Sequence, residues 1–336
     1  MEMHLERQGL AMQLVSDSRR TILVTGASGI VGYGILKSLK ESNCFLIGST
    51  VYEVSPANCF SDLVIKPPMT EEEGYINWLV SSIRDNSIDM IIPSIEADMN
   101  KWNKNRKLLE ETGTVVVLNN ERLIDLCLDK WNFYLELNKY NPDLCIKTSI
   151  IPEYEQFTKP FILKPRCGYG SRGFKVINSK QEFNQYKEDI GLTYIMQEYV
   201  GTDDEEYTVS AFFDKESNLR AYLPMKRKLS KNGYTDIAET VYVNEMESIL
   251  LQLANTFKPV GPTNFQFRKH INKWKLLEIN PRISSSTSIR AAFGYNESKM
   301  CLDYFLEKKE IEQPIIKNGT AIRYVEDYVT YDCNNI

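Results

Sequence analysis

Histidine is nearly missing from this chain. The 336 residues contain two, His4 and His270. A Ser-His-Asp hydrolase or a histidine-rich metal site needs at least one in the right place. His4 lies in a terminal segment, and the pattern around His270 reads as the tip of a hairpin. Histidine chemistry is therefore close to excluded, and any metal should have oxygen ligands. Cysteine is also uninformative. Its seven copies, at 44, 59, 127, 145, 167, 301 and 333, form no Cys-x-x-Cys and are odd in number. That argues against a zinc site or a disulfide framework and for a reducing, cytoplasmic setting. No run approaches the roughly 20 apolar residues of a membrane helix. The net charge of −5, from 45 acidic and 40 basic residues, gives no broad nucleic-acid surface. A local basic pocket for an anion stays open.

What is present is a soluble-type composition, 43% hydrophobic and 25% charged, and a pattern that changes along the chain. Residues 1–20 read as a tail without a secretory h-region, with Met12 as an alternative start. Over 21–125, strands alternate with helices. Strands are expected at Thr21–Thr25, Cys44–Gly48, Asp62–Ile65, Asp89–Pro93 and Thr114–Leu118. Helices are expected at Ile30–Leu39, Glu71–Asp85 and Glu96–Glu110. This alternation predicts a Rossmann-like parallel sheet of four or five strands covered on both faces. Over 126–336, strands follow one another with few helices between them: Phe161–Lys164, Phe174–Ile177, Tyr194–Tyr199, Tyr207–Phe213, Leu219–Lys226, Ile237–Val243, Asn264–Lys269 and Lys275–Asn280. Helices are expected at Lys130–Lys139, Lys180–Asp189, Glu245–Thr256 and Ser298–Leu306. Such runs of strands predict an α+β part with antiparallel sheets, with a lid subdomain at about 145–200.

Two glycine-rich loops stand out. Gly26-Ala27-Ser28-Gly29-Ile30-Val31-Gly32 follows a strand and opens a helix, the setting of a dinucleotide loop. It resembles the cofactor loop of nicotinamide-dependent epimerases and reductases, which is the rival reading of this chain. Against it, no acidic residue closes the second strand, which ends Gly48-Ser49-Thr50 with Glu53 late. The Tyr-x-x-x-Lys matches, Tyr33…Lys37 and Tyr295…Lys299, are misplaced. The alternative is that these glycines serve close packing or face a substrate.

The second loop is Lys164-Pro165-Arg166-Cys167-Gly168-Tyr169-Gly170-Ser171-Arg172-Gly173, between two strands. Glycines let its N–H groups approach phosphate oxygens, and Lys164 adds a point charge. It lacks the Gly-Lys-Ser/Thr of a P-loop. Downstream come Met196-Gln197-Glu198-Tyr199-Val200-Gly201, Glu205-Glu206-Tyr207-Thr208-Val209, Asn264-Phe265-Gln266-Phe267, and Leu276-Leu277-Glu278-Ile279-Asn280-Pro281-Arg282. Glu278 and Asn280 are two apart on a strand and so share a face. For Gln266 to join them, the hairpin connection should hold an odd number of residues, such as Ile271-Asn272-Lys273.

This order of motifs, over about residues 21–300, resembles the ATP-grasp superfamily, above all the synthetase units of carbamoyl-phosphate synthetase and the pyrrolysine-biosynthesis ligase. The resemblance implies a pre-ATP-grasp α/β domain followed by an ATP-grasp fold. It implies an ADP-forming ligase that phosphorylates a carboxylate on ATP and joins the acyl phosphate to an amine. Lys130 and Lys164 match the cations on the phosphates. Gly168, Gly170, Ser171 and Gly173 match the flap over them. Glu198, Tyr199 and Val200 match the adenine hinge, and Glu206 the ribose carboxylate. Gln266, Glu278 and Asn280 match the ligands of Mg²⁺, with Mn²⁺ as an alternative. Arg282 matches the cation that steadies the transferring phosphoryl group, so that Arg282 and Lys164 carry the catalysis. In carbamoyl-phosphate synthetase the pattern resembles Asn-Pro-Arg-Val-Ser-Arg-Ser-Ser, whereas here Ser285 replaces the second arginine. That loss argues against a small anion such as bicarbonate and for a larger carboxylate. Lys226, Arg227, Ser284 and Ser285 are the candidates to meet it. The expected partners are a small-molecule carboxylate and amine, neither nucleic acid nor membrane, and a second copy in a homodimer. A third reading is an ATP-binding module without turnover; the intact Glu278, Asn280 and Arg282 count against it.

Overall fold

The computed structural model describes residues 19–168, 173–231 and 233–329. The first part is a parallel five-stranded sheet: β1 (Arg20–Val24), β2 (Cys44–Ser49), β3 (Leu63–Ile65), β4 (Met90–Ile92) and β5 (Val115–Val116), in the order β3-β2-β1-β4-β5. Ile22–Val24 and Met90–Ile92 are almost fully buried, because the crossover helices cover both faces. The helix Ile30–Leu39 falls where its pattern places it. The next begins only at Tyr75 rather than Glu71, after a turn through Gly74. The expected helix over Glu96–Glu110 is two, Glu96–Lys104 and Arg106–Glu110. Asn105 interrupts it at φ −118°, its side-chain amide donating to the Lys101 carbonyl at 2.8 Å. An asparagine that bonds the carbonyl four back competes with the helix ladder.

The first glycine loop commits donors to backbone carbonyls of the protein. Ala27 N donates to Ser49 O at 2.9 Å and Gly29 N to Gly26 O at 3.0 Å. Gly26 has φ +61°, and a Cβ there would meet Ser94 Oγ at 2.6 Å; at Gly32 it would meet Gly26 O at 2.4 Å. These glycines let the helix lie against the strand ends, which is the packing alternative.

Two antiparallel sheets follow. The smaller holds β6 (Thr148–Ser149), β7 (Phe161–Pro165), β8 (Lys175–Ile177) and β9 (Tyr194–Glu198), in the order β6-β9-β7-β8. The larger holds β10 (Glu206–Phe213), β11 (Leu219–Leu229), β12 (Thr235–Thr240), β13 (Gly261–His270), β14 (Lys273–Asn280) and β15 (Thr320–Ile322), in the order β14-β13-β10-β11-β12-β15. Along β10 the side chains alternate. Tyr207, Val209, Ala211 and Phe213 share an apolar core with Phe265, Phe267 and the helices Lys130–Tyr140 and Met246–Phe257. Glu206, Thr208 and Ser210 take the opposite face. The strands β6 and β15, and the helices Glu121–Cys127 and Thr287–Ala292, were not anticipated. The strands are two and three residues long, too short for a periodic signal. The last expected helix, Ser298–Leu306, is an α-helix over Glu297–Cys301 that widens into a π-helix over Leu302–Leu306. Among the described residues, no helix is long and apolar enough to cross a membrane.

Candidate active site

The two sheets and the start of the helix Lys130–Tyr140 enclose a cavity of about 100 Å³. Lys130, Lys164, Gly168, Gln197, Glu278 and Asn280 are among its polar wall, and Ile146, Ile195 and Leu276 among its apolar one.

Lys164 stands near the end of β7, opposite Ile195 of β9. Burial pushes its ammonium down to about 8, against the opposing pull of Glu278. Such a cation is primed to gain from an incoming anion. Lys130 is the first residue of its helix. Asp129 caps that helix, accepting from Trp131 N at 2.9 Å and Asn132 N at 3.3 Å. The same carboxylate grips Arg166 in the glycine loop at 2.8 Å. Lys130 Nζ donates to Gly168 O at 2.7 Å. The loop is thus fastened to the helix at its N-terminal end. Gly168 and Gly173 both have positive φ, +120° and +78°; Gly170 and Ser171 lie outside the described residues.

Gln266, Glu278 and Asn280 do come together, by a different route from the one expected. The hairpin turn holds two residues, Ile271 and Asn272, both at positive φ (50° and 60°). An even connection alone would put Gln266 on the wrong face. The ladder shifts between Gln266 and Phe267: Phe267 pairs with Leu276, but Gln266 pairs with Glu278 and Asn264 with Asn280. Leu277 is the extra residue of a β-bulge, which corrects the register. Asn280 Nδ2 donates to Glu278 Oε1 at 3.1 Å, leaving the amide oxygen of Asn280 to other partners. Gln266 Oε1 accepts from Arg227 Nη2 at 2.8 Å. The donor set is all oxygen with a single carboxylate. It fits Mg²⁺, which takes one or two carboxylates and lets phosphates complete its shell. No cluster of three or more His, Cys, Asp or Glu occurs among the described residues.

Glu206 is buried and doubly gripped. Arg227 Nη2 reaches one oxygen at 2.8 Å and Arg268 Nη2 the other at 2.9 Å. Burial alone would raise this carboxyl, but the two guanidinium groups hold it below its usual value. A ribose hydroxyl would have to share these partners. Arg268 also ties the hinge: its Nη1 donates to Val200 O at 3.4 Å, and its guanidinium lies 5.8 Å from the Tyr199 ring. Gly201 N donates to His270 Nδ1 at 3.1 Å, so the hairpin tip anchors the same segment. Glu198, where β9 ends, donates its N–H to Lys147 O at 2.9 Å.

Two of the expected substrate residues part company. Arg227 shares the Glu206 face. Lys226 pairs with Tyr207, points to the other side of β11, and meets Glu205 at 3.5 Å. Adjacent strand residues cannot both face one site, so Lys226 is withdrawn as a substrate contact. Ser284 is buried, its hydroxyl accepting from Arg290 at 2.8 Å. The Ser285 carbonyl accepts from Arg323. Arg282 Nη1 donates to Ile283 O at 2.8 Å, and its Nη2 to Glu96, at the start of the helix after β4.

Sequence reasoning missed Glu96, Arg268, Arg290 and Gln197. Arg290 is fully buried, paired with Glu297 at 2.8 Å, and bonded to Asn264 at 2.6 Å. Gln197 has its Nε2 on Thr148 Oγ1 at 3.0 Å, while its buried Oε1 has no hydrogen-bond partner. It directly precedes the expected hinge, and the alternation along β9 turns it toward the cavity; that was the available signal.

Residues 193–328 match the family described as ATP-grasp in the biosynthetic pathway with Ter operon. The fold is similar to that of N5-carboxyaminoimidazole synthetase from Staphylococcus aureus, solved with ADP. The TM-score is 0.71 at 16% identity, over 89% of this chain and 81% of that one. It is also similar to biotin carboxylase from Campylobacter jejuni in complex with β-γ-ATP, at TM-score 0.67 and 16% identity, over 84% and 70%. L-amino acid ligase from Bacillus licheniformis aligns at TM-score 0.65 and 13% identity, over 88% and 75%. With its parallel sheet followed by two antiparallel sheets, the chain has the ATP-grasp fold, and its residues 193–328 match an ATP-grasp family.

Proposed function

We propose that this chain is an ADP-forming carboxylate–amine ligase. The observation that carries the proposal is the meeting of two charge sets in the lining of one cavity. Lys130 and Lys164 line it together with the oxygen-bearing Glu278 and Asn280, with Gln266 paired to Glu278. That is the arrangement a triphosphate with its cation requires.

Adenine fits between Ile146 and Leu276, its amino group donating to the unpartnered Gln197 Oε1. Lys164 and Lys130 hold the phosphates. Bound Mg²⁺, held by Glu278, Asn280 and Gln266, would neutralise charge on them. The substrate carboxylate attacks the γ-phosphorus, and ADP leaves with its β–γ bridging oxygen. Arg282 neutralises the charge that develops on the transferring group. The amine then attacks the acyl carbon and phosphate departs, which forms an amide and releases one proton. Positioning and charge neutralisation supply the acceleration, consistent with a site that contains no histidine nucleophile or base.

The test is hydroxamate formation with hydroxylamine as a general amine, ATP–Mg²⁺ and a panel of carboxylic acids, read together with phosphate release. The expected result is hydroxamate and phosphate in equal amounts for at least one acid. Binding of NAD(H) in preference to ATP–Mg²⁺ would favour the reductase reading instead.

A further inference from the structure

Arg323 is a half-buried cation, and among the described residues no carboxylate pairs with it. Its backbone continues the ladder of β15 on β12, Arg323 N donating to Asp236 O at 2.8 Å. This aims the side chain back over the sheet, where Nη2 donates to the carbonyl of Ser285. Nε is buried and has no hydrogen-bond partner. Burial lowers its pKa, and the ionisable groups that act on it most are Tyr33, Tyr234 and Arg290. The neighbouring guanidinium groups are all matched. Arg282 pairs with Glu96, Arg290 with Glu297, and Arg227 and Arg268 with Glu206. A partly desolvated guanidinium that no carboxylate matches gains most from an anion brought by a ligand.

The location gives that ligand a role. Ser285 is three residues beyond Arg282 and is the position at which the carbamoyl-phosphate synthetase pattern has its second arginine. A guanidinium thus reaches the backbone of that position, delivered by a different segment of the chain. Tyr33 reaches it from the helix Ile30–Leu39 of the parallel-sheet part. The anion would therefore sit where the helix Ile30–Leu39 meets the segment that follows Arg282.

We propose that Arg323, with the Tyr33 hydroxyl, binds an anionic group on the acid substrate, so that the substrate is a carboxylic acid bearing a second carboxylate or a phosphate-like group. This rests on the ligase reading. The planar fork suits either oxyanion.

The experiment has two readouts. Thermal stabilisation of the full chain is measured with succinate, glutarate, phosphonoacetate and, as the single-charge control, propionate, for wild type, Arg323→Met, Arg323→Lys and Tyr33→Phe. Hydroxamate formation is measured on the same set. At least one doubly charged acid should stabilise the wild type, propionate should not, and Arg323→Met should weaken the effect about tenfold, or 1.4 kcal/mol, while still binding ATP. Succinate against phosphonoacetate separates carboxylate from phosphate-like recognition. If Arg323→Met fails to fold, loss in Arg323→Lys and Tyr33→Phe decides. Equal stabilisation of wild type and ATP-competent variants, or none by any doubly charged acid, overturns the anion site. Stabilisation that depends on Arg323 without hydroxamate from any acid overturns the ligase reading alone. Hydroxamate from propionate with wild-type kinetics in Arg323→Met overturns the anion site alone.

Discussion

Gln266 stands opposite Glu278, one residue out of the register that the Ile271–Asn272 turn dictates, and Leu277 makes up the difference. Three oxygen-bearing side chains therefore share a face through a local irregularity in β14. Replacing Glu278 by Gln should abolish Mg²⁺-dependent turnover and leave adenine binding largely intact, because the hinge is separate. Turnover with unchanged Mg²⁺ dependence would show that the metal lies elsewhere.

Lys164 predicts a pH dependence with a definite sign. Its ammonium is held near 8 instead of 10.5, chiefly by burial. It is charged below that value and neutral above it. ATP affinity should then be highest below about pH 7 and fall as pH rises through about 8, with the midpoint moved upward by the bound phosphates. Stability should run the other way. Between the folded and unfolded pKa values the unfolded chain holds the extra proton, so stability rises with pH across that window. Lys164→Met should flatten both slopes, and Lys164→Ala should cut ATP affinity or turnover at least about tenfold. Calorimetric titration and chemical denaturation across the range measure each.

Gln197 predicts the choice of base. Its Nε2 is committed to Thr148, so Oε1 offers an acceptor to the cavity. Adenine presents an amino donor at that edge and guanine an oxygen. Gln197→Met should reduce the preference for ATP over GTP by about tenfold, the value of one hydrogen bond in a dry site. Unchanged selectivity in competition binding would place the base differently.

Glu96 predicts an effect across the two parts of the molecule. It holds Arg282, whose Nε has no partner and whose other bond is to Ile283 O. Glu96→Ala should lower kcat about tenfold with a smaller rise in KM for ATP, since it loosens the cation proposed to steady the phosphoryl group and removes one carboxylate from the cavity wall. A change in KM for ATP alone would assign Glu96 to nucleotide binding.

What could be read in advance follows from the range of each interaction. The parallel strands were legible because Met90–Ile92, buried on both faces, leaves an unbroken apolar run. The bulge at Leu277 was not, because Leu276-Leu277-Glu278 has no glycine to mark it. Lys226 and Arg227 could not be separated without the phase of β11, which the pairing of Tyr207 with Lys226 supplies. Glu96 and Arg282 are 186 positions apart, and Arg323 meets Ser285 only after β15 has joined a sheet edge. No local pattern encodes either. The first glycine loop was ambiguous because close packing and pyrophosphate binding both require a missing Cβ. The commitment of Ala27 N and Gly29 N to backbone carbonyls favours packing.

The contact between Lys130 Nζ and Gly168 O would make nucleotide arrival at Lys130 an exchange. The ammonium that would greet the phosphates currently holds down the first glycine of the loop expected to cover them. When a triphosphate claims Lys130, Gly168 is let go at the same moment, while Asp129 and Arg166 keep the loop's base in place. Capture and release are then coupled through one side chain, and the swap of one acceptor for another keeps its energetic cost small. A cell with little ATP would leave the loop tethered, and a rise in ATP would free it without any separate signal.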